Sequence, residues 1–220
     1  MERAQGIDVS HHHPVRDWDA VLAAGMDIFG AKATNGRGFD PTFAAHRDGA
    51  RAQPFELVLY YHFPMPTSSA VSQADLLVNV ATAGGGLRDN ERLVLDVEPN
   101  DGWCPDIRFV EEWVQEAIRL GGDRRLFVYT SARVWKEELG SPTWPSAIAT
   151  DLWVPRYDGD DAREGPEPAL PVDRQGLPVW PRWTLWQDSE TFVCPGVAGP
   201  CDHNVWRGDR EDLLAYVKRP

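Results

Sequence analysis

The feature that most constrains this chain is its rhythm. Between GIDVS (6–10) and ARVWKEELG (132–140), short runs rich in β-branched and aromatic residues alternate five times with helix-patterned stretches, and then the alternation stops. A strand–helix–strand repeat of that kind argues for a largely parallel sheet, because each crossover must carry the chain back before the next strand begins. The predicted strands are GIDVS, IFGAKAT, ELVLYYHF, RLVLDVEP and RRLFVYTS. RLVLDVEP is nearly continuous in its apolar character, as a strand covered on both faces should be. The first helix, DWDAVLAAG, carries an Asp17 cap and a Gly25 stop, and PTFAAHRDGARAQ has Pro41 near its first turn. SSAVSQADLLVNVATAGGG has serine caps and a glycine stop. DIRFVEEWVQEAIRLGG is the clearest helix, with Ile107, Val110, Val114, Ala117 and Ile118 at helical spacing. Beyond residue 140, DLWVPRYD, WTLWQDSE and HNVWRG read as strands joined by Pro- and Gly-rich loops, and DREDLLAYVKR closes the chain as a helix. Five βα units followed by three helix-poor strands predict an irregular eight-stranded α/β barrel in one domain, residues 1–220, without a repeat or linker.

Composition narrows what such a barrel would meet. A net charge of −12 would be repelled by nucleic acid phosphates and by anionic membranes, so neither is expected as a partner. No apolar run is long enough for a membrane helix, and MERAQGIDVS passes into the fold without a secretory signal. Three cysteines allow one pair and one leftover: Cys194 and Cys201 flank PGVAGP and could close a short disulfide, with Cys104 free. Ten tryptophans stand out, and they can either stack on sugar rings or fill the core.

In a parallel barrel, functional side chains gather at the C-terminal ends of the strands. Those ends offer Asp8 and Ser10, Lys32, Tyr61 and His62, Asp96 and Glu98, Tyr129, Tyr157, and Trp186 and Gln187, with Asp202 at the start of the last strand. LDVEP is the sharpest of them. Strand side chains alternate, so Asp96 and Glu98 share a side while Val97 points away. Two carboxyl groups so placed repel, and at least one should hold its proton above the usual range. Such a protonated acid is what glycosidic cleavage requires at the leaving oxygen. A structural pair bridged to Lys or Arg, or a metal site, is the competing reading.

The blocks GIDVS…DW, AKAT, YYHF, LDVEP, VYTS, LWVPRY, LWQ and DHN, in this order from Gly6 to about Gly208, resemble the glycoside hydrolase family 25 lysozymes. The resemblance implies an irregular TIM-like (β/α)5(β)3 barrel. It also implies hydrolysis of the β-1,4 bond between N-acetylmuramic acid and N-acetylglucosamine in peptidoglycan, with no cofactor. The family's four cleft carboxylates correspond to Asp8, Asp96, Glu98 and Asp202, and its aromatic and amide positions to Tyr61, Trp153, Tyr157, Trp186 and Gln187. Glu98 is expected as general acid. Asp96 is expected either as nucleophile or, in the favoured route, as helper to an attacking 2-acetamido group, a part Asp202 could also take. Asp8 is expected to orient water or bond within the cluster. Tyr61, Tyr129, Tyr157 and Trp186 are candidates for the sugar-contacting wall, with core packing as the alternative for each, and Lys32 for a partner of the carboxylates. Asn35, His13 and Pro14 depart from the family's pattern, leaving the carboxylates intact but altering the rim.

The resemblance further implies a monomer that meets glycan strands at the cell wall. Without a leader in this chain, it would arrive by phage-type release, effector delivery or after trimming. A chitinase-like glycosidase, a metal-dependent wall amidohydrolase and a non-catalytic glycan-binding module are the alternatives. The run His11, His12, His13 favours no metal, because adjacent side chains on an extended chain diverge and His46, His62 and His203 are scattered.

Overall fold

The computed structural model describes residues 2–121, 124–157 and 166–218. Sequence readings that touch Gly122, Asp158 and Arg219 lie outside the described residues. Strands β1 (Gln5–Val9), β2 (Ile28–Asn35), β3 (Gly38–Phe39), β4 (Leu57–Phe63), β5 (Glu91–Asp96), β6 (Leu126–Tyr129), β7 (Thr150–Pro155), β8 (Leu185–Phe192) and β9 (Cys201–Trp206) form one sheet. Its order is β1-β9-β8-β7-β6-β5-β4-β2-β3, and an additional β1–β2 pairing closes it. Eight strands therefore make the barrel, while β3 pairs only with β2 as a short antiparallel ribbon. Pairing is parallel from β1 through β8, and β9 runs antiparallel to both its neighbours. This is the irregular (β/α)5(β)3 arrangement. Helices fill the crossovers as far as β6 and a 3-10 turn, Pro145–Ala149, leads into β7. The later connections among the described residues carry no α-helix, and the antiparallel pairs need none.

The helices are α1 (Trp18–Ala23), α2 (Phe43–Arg51), α3 (Ala70–Thr82), α4 (Ile107–Gly121), α5 (Ala132–Glu137) and α6 (Arg210–Val217). Their starts follow from side-chain caps. The carboxylate of Asp17 accepts from Ala20 N, and the hydroxyls of Ser69 and Ser131 accept from Ser72 N and Val134 N. Asp209 and Asp212 form a reciprocal capping box on α6. No helix among the described residues is long and apolar enough to cross a membrane.

Strand alternation splits the apolar side chains into two sets. Leu57, Leu59, Val94, Phe127, Trp153 and Leu185 fill the barrel interior, closed below by Trp206 and by Leu213 and Tyr216 of α6. Val58, Tyr60, Leu93, Leu95, Val128, Leu152 and Val154 face outward, in the cluster that includes Trp113, Val114 and Ala117 of α4. Eight of the ten tryptophans are buried, so core filling accounts for most of the compositional excess. At Gly30, directly across from Asp8 in the β1–β2 register, an added Cβ would lie 2.6 Å from the Asp8 Cβ. The missing side chain is what lets the first strand press against the second at the level of the site. Cys194 and Cys201 are separate buried thiols, so the short disulfide that their spacing allows is absent. Burial pushes these thiols up to about 11 and about 12, which leaves neither poised as a nucleophile.

Candidate active site

The C-terminal mouth of the barrel is a cleft of about 280 Å³ lined by Asp8, Lys32, Tyr61, Phe63, Asp96, Glu98, Tyr129, Trp153, Tyr157, Gln187, Glu190 and Asp202. Each strand delivers its residue by parity. Leu57, Leu59 and Tyr61 share the inner face of β4, as do Val94 and Asp96 on β5. A register shift between Lys32 and Thr34 in the β2–β4 pairing marks a bulge just past Lys32. Bulges of this kind re-aim side chains at barrel rims. β5 ends at Asp96, so Glu98 sits in the loop beyond it rather than on the strand. It still lines the same cleft, with Val97 turned into the core.

Asp8 is the most fully bonded member. Its Oδ2 accepts from Gln187 Nε2 at 3.0 Å and from Asn204 Nδ2 at 2.8 Å. Both amides are held in that orientation from behind. The Trp153 indole N–H can only donate, and it donates to Asn204 Oδ1 at 2.8 Å. The Tyr129 and Tyr157 hydroxyls each lie 2.6 Å from Gln187 Oε1 as donors. Burial raises Asp8, while hydrogen bonds from Asn204, Gln187 and Asp202 oppose that rise. Asp202 is raised by burial and then by the Asp8 charge beside it. Two amide donors aimed at Asp8 make it the anion of this pair and Asp202 the proton holder.

The second pair is Asp96 and Glu98. Burial, then the Glu98 charge, lifts Asp96 well above the usual carboxylate range, and Lys32 pulls the other way. Asp96 Oδ1 is buried without a hydrogen-bond partner, a further cost to the ionised form. Glu98 is raised by burial and then by Asp8, with Arg133 opposing. The cleft therefore gathers four carboxyl groups that burial raises above the ordinary range, with Asp8 the one held by two amide donors.

Most of the residues expected from sequence meet here, and Trp186 does not. It is 1% exposed, packs against Trp183 and donates its indole N–H to Arg156 O at 2.8 Å on the outer side of β8. Adjacent strand residues face opposite ways, so Gln187 in the cleft requires Trp186 outside it. His62 likewise faces out, between Thr34 and Gln73, and burial lowers it to about 4. His11 pairs with Asp40 at 2.7 Å, and His203 with Asp188 at 2.6 Å. Sequence reasoning missed Phe63, Glu190 and the Asn204 clamp. Phe63 shares the parity of Tyr61, and its ring lies 4.7 Å from Lys32 Nζ. Parity along YYHF was the signal for it.

An eight-stranded (β/α)5(β)3 barrel with this carboxyl cluster at its mouth defines a glycoside hydrolase. The sequence model of the glycosyl hydrolases family 25 matches residues 7–197. The chain is similar to Lysozyme M1 of Streptomyces globisporus, 33% identical over 225 residues that take in 97% of this chain and 71% of that protein. It is also similar to the N,O-diacetylmuramidase of Arthroderma benhamiae, at 26% identity over 97% of this chain and 86% of that one. Among solved structures, the bacterial lysozyme from Streptomyces coelicolor superposes with a TM-score of 0.80 at 29% identity, covering 99% of this chain and 98% of that one. The chain belongs to glycosyl hydrolase family 25.

Proposed function

We propose that this protein is an N-acetylmuramidase that cuts the β-1,4 bond between N-acetylmuramic acid and N-acetylglucosamine in peptidoglycan. The observation that carries this reading is one cleft that brings Asp96 and Glu98, both raised by burial, together with the amide-clamped Asp8 and its neighbour Asp202. Lysozyme M1 and the N,O-diacetylmuramidase, its relatives, support the substrate class.

Glu98 is the general acid. It accepts and donates no hydrogen bond within the described protein, so its carboxyl is available to the glycosidic oxygen. As the C–O bond breaks, the Glu98 proton passes to the leaving oxygen. The 2-acetamido carbonyl oxygen of the muramic sugar closes on the anomeric carbon from the other face. Asp96 accepts the amide N–H, which favours its ionised form, as Lys32 does, and leaves the proton of the pair on Glu98. Water then attacks the anomeric carbon and gives its proton to the Glu98 carboxylate, reopening the acetamido ring. Asp8 and Asp202 fix the polar floor on which the sugar sits, and Tyr61, Tyr129, Tyr157 and Trp153 supply its walls.

Digestion of purified peptidoglycan by wild type and Glu98→Gln, followed by reduction and mass spectrometry, tests the reading. Fragments ending in reduced muramic acid are expected from wild type and should vanish with the variant. Reduced glucosamine ends, free acetate or released stem peptide would assign the chain to another reaction.

A further inference from the structure

A second groove, roomier than the cleft, lies away from the carboxyl cluster. At the opposite end of the barrel this groove of about 1010 Å³ opens between residues 144–152, residues 179–184 and α6. Its lining carries four guanidinium groups, those of Arg92, Arg125, Arg182 and Arg207, against two carboxylates, Asp151 and Asp212. In a chain of net charge −12 this concentration of positive charge is local, not a reflection of composition.

Both carboxylates are already committed. Asp151 Oδ2 accepts from Arg125 Nε at 2.9 Å and from Tyr216 Oη at 2.8 Å, and Oδ1 accepts from Thr184 Oγ1 at 3.1 Å. Asp212 caps α6 through the Asp209 N–H. Arg125 is thereby neutralised, but Arg182 and Arg207 are exposed and have no carboxylate partner among the described residues. Arg207 is set beside the buried Trp183 ring, 5.8 Å from its centroid, and its backbone N–H donates to Thr184 O at 3.1 Å. That bond ties Arg207 to the segment that carries Arg182.

The wall holds an independent sign. Arg92, only 4% exposed, leaves its Nε buried without a hydrogen-bond partner. Its Nη1 reaches only backbone carbonyls, those of Asp89 and Glu91, and its guanidinium stands 5.7 Å from the Tyr216 ring. The two carbonyls and the ring offset only part of the desolvation cost of a buried guanidinium that has no carboxylate beside it among the described residues. An anion in the groove would offset it.

We propose that this groove is an accessory binding site for a phosphate-bearing chain, a polyol-phosphate or sugar-phosphate oligomer. Guanidinium forks match the two oxygens of a phosphodiester. The volume is at the upper end of ligand pockets, so it accommodates more than one repeat unit. The site lies at the end of the barrel opposite the cleft and so can hold an anionic polymer while the cleft holds another chain. It does not depend on the muramidase reading.

The test is calorimetric titration of the intact protein with a glycerol-phosphate oligomer at low salt. The double variant Arg182→Gln, Arg207→Gln changes only exposed side chains and should leave folding intact, as thermal melting would check. Saturable binding is expected, weakened at least ten-fold in the double variant and weakened by added salt, with unchanged hydrolysis of soluble glycan. Polyglutamate of matched charge, which offers carboxylates in place of phosphodiesters, should bind at least ten-fold more weakly. No binding, binding unaltered in the variant, or equal binding of the two polyanions would overturn the proposal.

Discussion

Asp8 and Asp202 stand directly opposite each other across the antiparallel β1–β9 pair, at the one level of the barrel where both side chains enter the cleft. Cross-strand neighbours of like charge destabilise a sheet. Here the repulsion is relieved by asymmetry: Gln187 and Asn204 both donate to Asp8, and Asp202 keeps a proton. The tyrosines and the tryptophan behind the two amides thus serve the electrostatics of the site, beyond lining it.

A stability prediction follows from that asymmetry. The folded-state pKa of Asp202 is raised above its ordinary 3.8. Its favourable contribution is complete below that value and is lost as pH rises through the folded pKa. Asp202→Asn cannot ionise, so it should match wild type in melting temperature near pH 4 and exceed it progressively toward pH 8. The gap should grow by up to about 1.4 kcal/mol per pH unit between the two pKa values. Parallel melting curves at every pH would show that Asp202 is not the proton holder.

The alkaline limb of the activity profile should report Glu98. Because burial and Asp8 raise it, kcat/KM should fall as pH rises through its pKa, when the acid is lost. Arg133 favours the charged form of Glu98 from an exposed position, where it also pairs with Glu137 at 3.2 Å. Arg133→Gln should move that limb to higher pH by a few tenths of a unit, a small shift because solvent and salt screen the charge. A limb that moves to lower pH would remove Glu98 from the acid's role.

The amide clamp can be tested through Trp153. Trp153→Phe keeps an aromatic wall and removes the one N–H that orients Asn204. With Asn204 Oδ1 left buried and unbonded, the loss of stability should be about 1–3 kcal/mol. The expected kinetic signature is a fall in kcat larger than any rise in KM, because the change acts on Asp8 rather than on substrate contact. A pure KM effect would make Trp153 a binding wall and nothing more.

Much of this was legible in the sequence, for reasons that can be named. Period-two alternation placed Tyr61 and Asp96 correctly, and the five-fold strand–helix rhythm anticipated the parallel part of the barrel. The same alternation separates Gln187 from Trp186, and applying it along LWQ would have kept Trp186 out of the cleft. Glu190 is a different case. Register shifts between Gln187 and Ser189 and between Ser189 and Phe192 break the parity of β8, so nothing local in SETF says that Glu190 reaches the rim. Asn204 stood in the DHN block, but its role depends on Trp153, 51 residues away. Such a clamp is a property of closure and not of any short motif.

Glu91 provides a test of what holds the barrel wall together. It opens β5 with no exposed surface and accepts from Arg51 Nε at 2.6 Å and Nη2 at 2.8 Å, from Tyr60 Oη at 2.7 Å and from Arg88 N at 2.8 Å. Burial raises its pKa, but the Arg51 pair and the other donors outweigh burial and hold it below the ordinary 4.5. For a lowered carboxylate the sign is the reverse of Asp202: the stability is present above the unfolded value and is lost as pH falls through the folded one. Glu91→Gln leaves Arg51 charged and half-paired, so the loss at pH 7 should be about 3–5 kcal/mol. For a chain of this size that is a fall in melting temperature of roughly 6–20 °C. The difference from wild type should shrink below pH 4.5 as wild-type Glu91 itself protonates. A loss under about 1 kcal/mol, the range of exposed ion pairs, would mean that apolar packing around Tyr60 holds this corner without the charges.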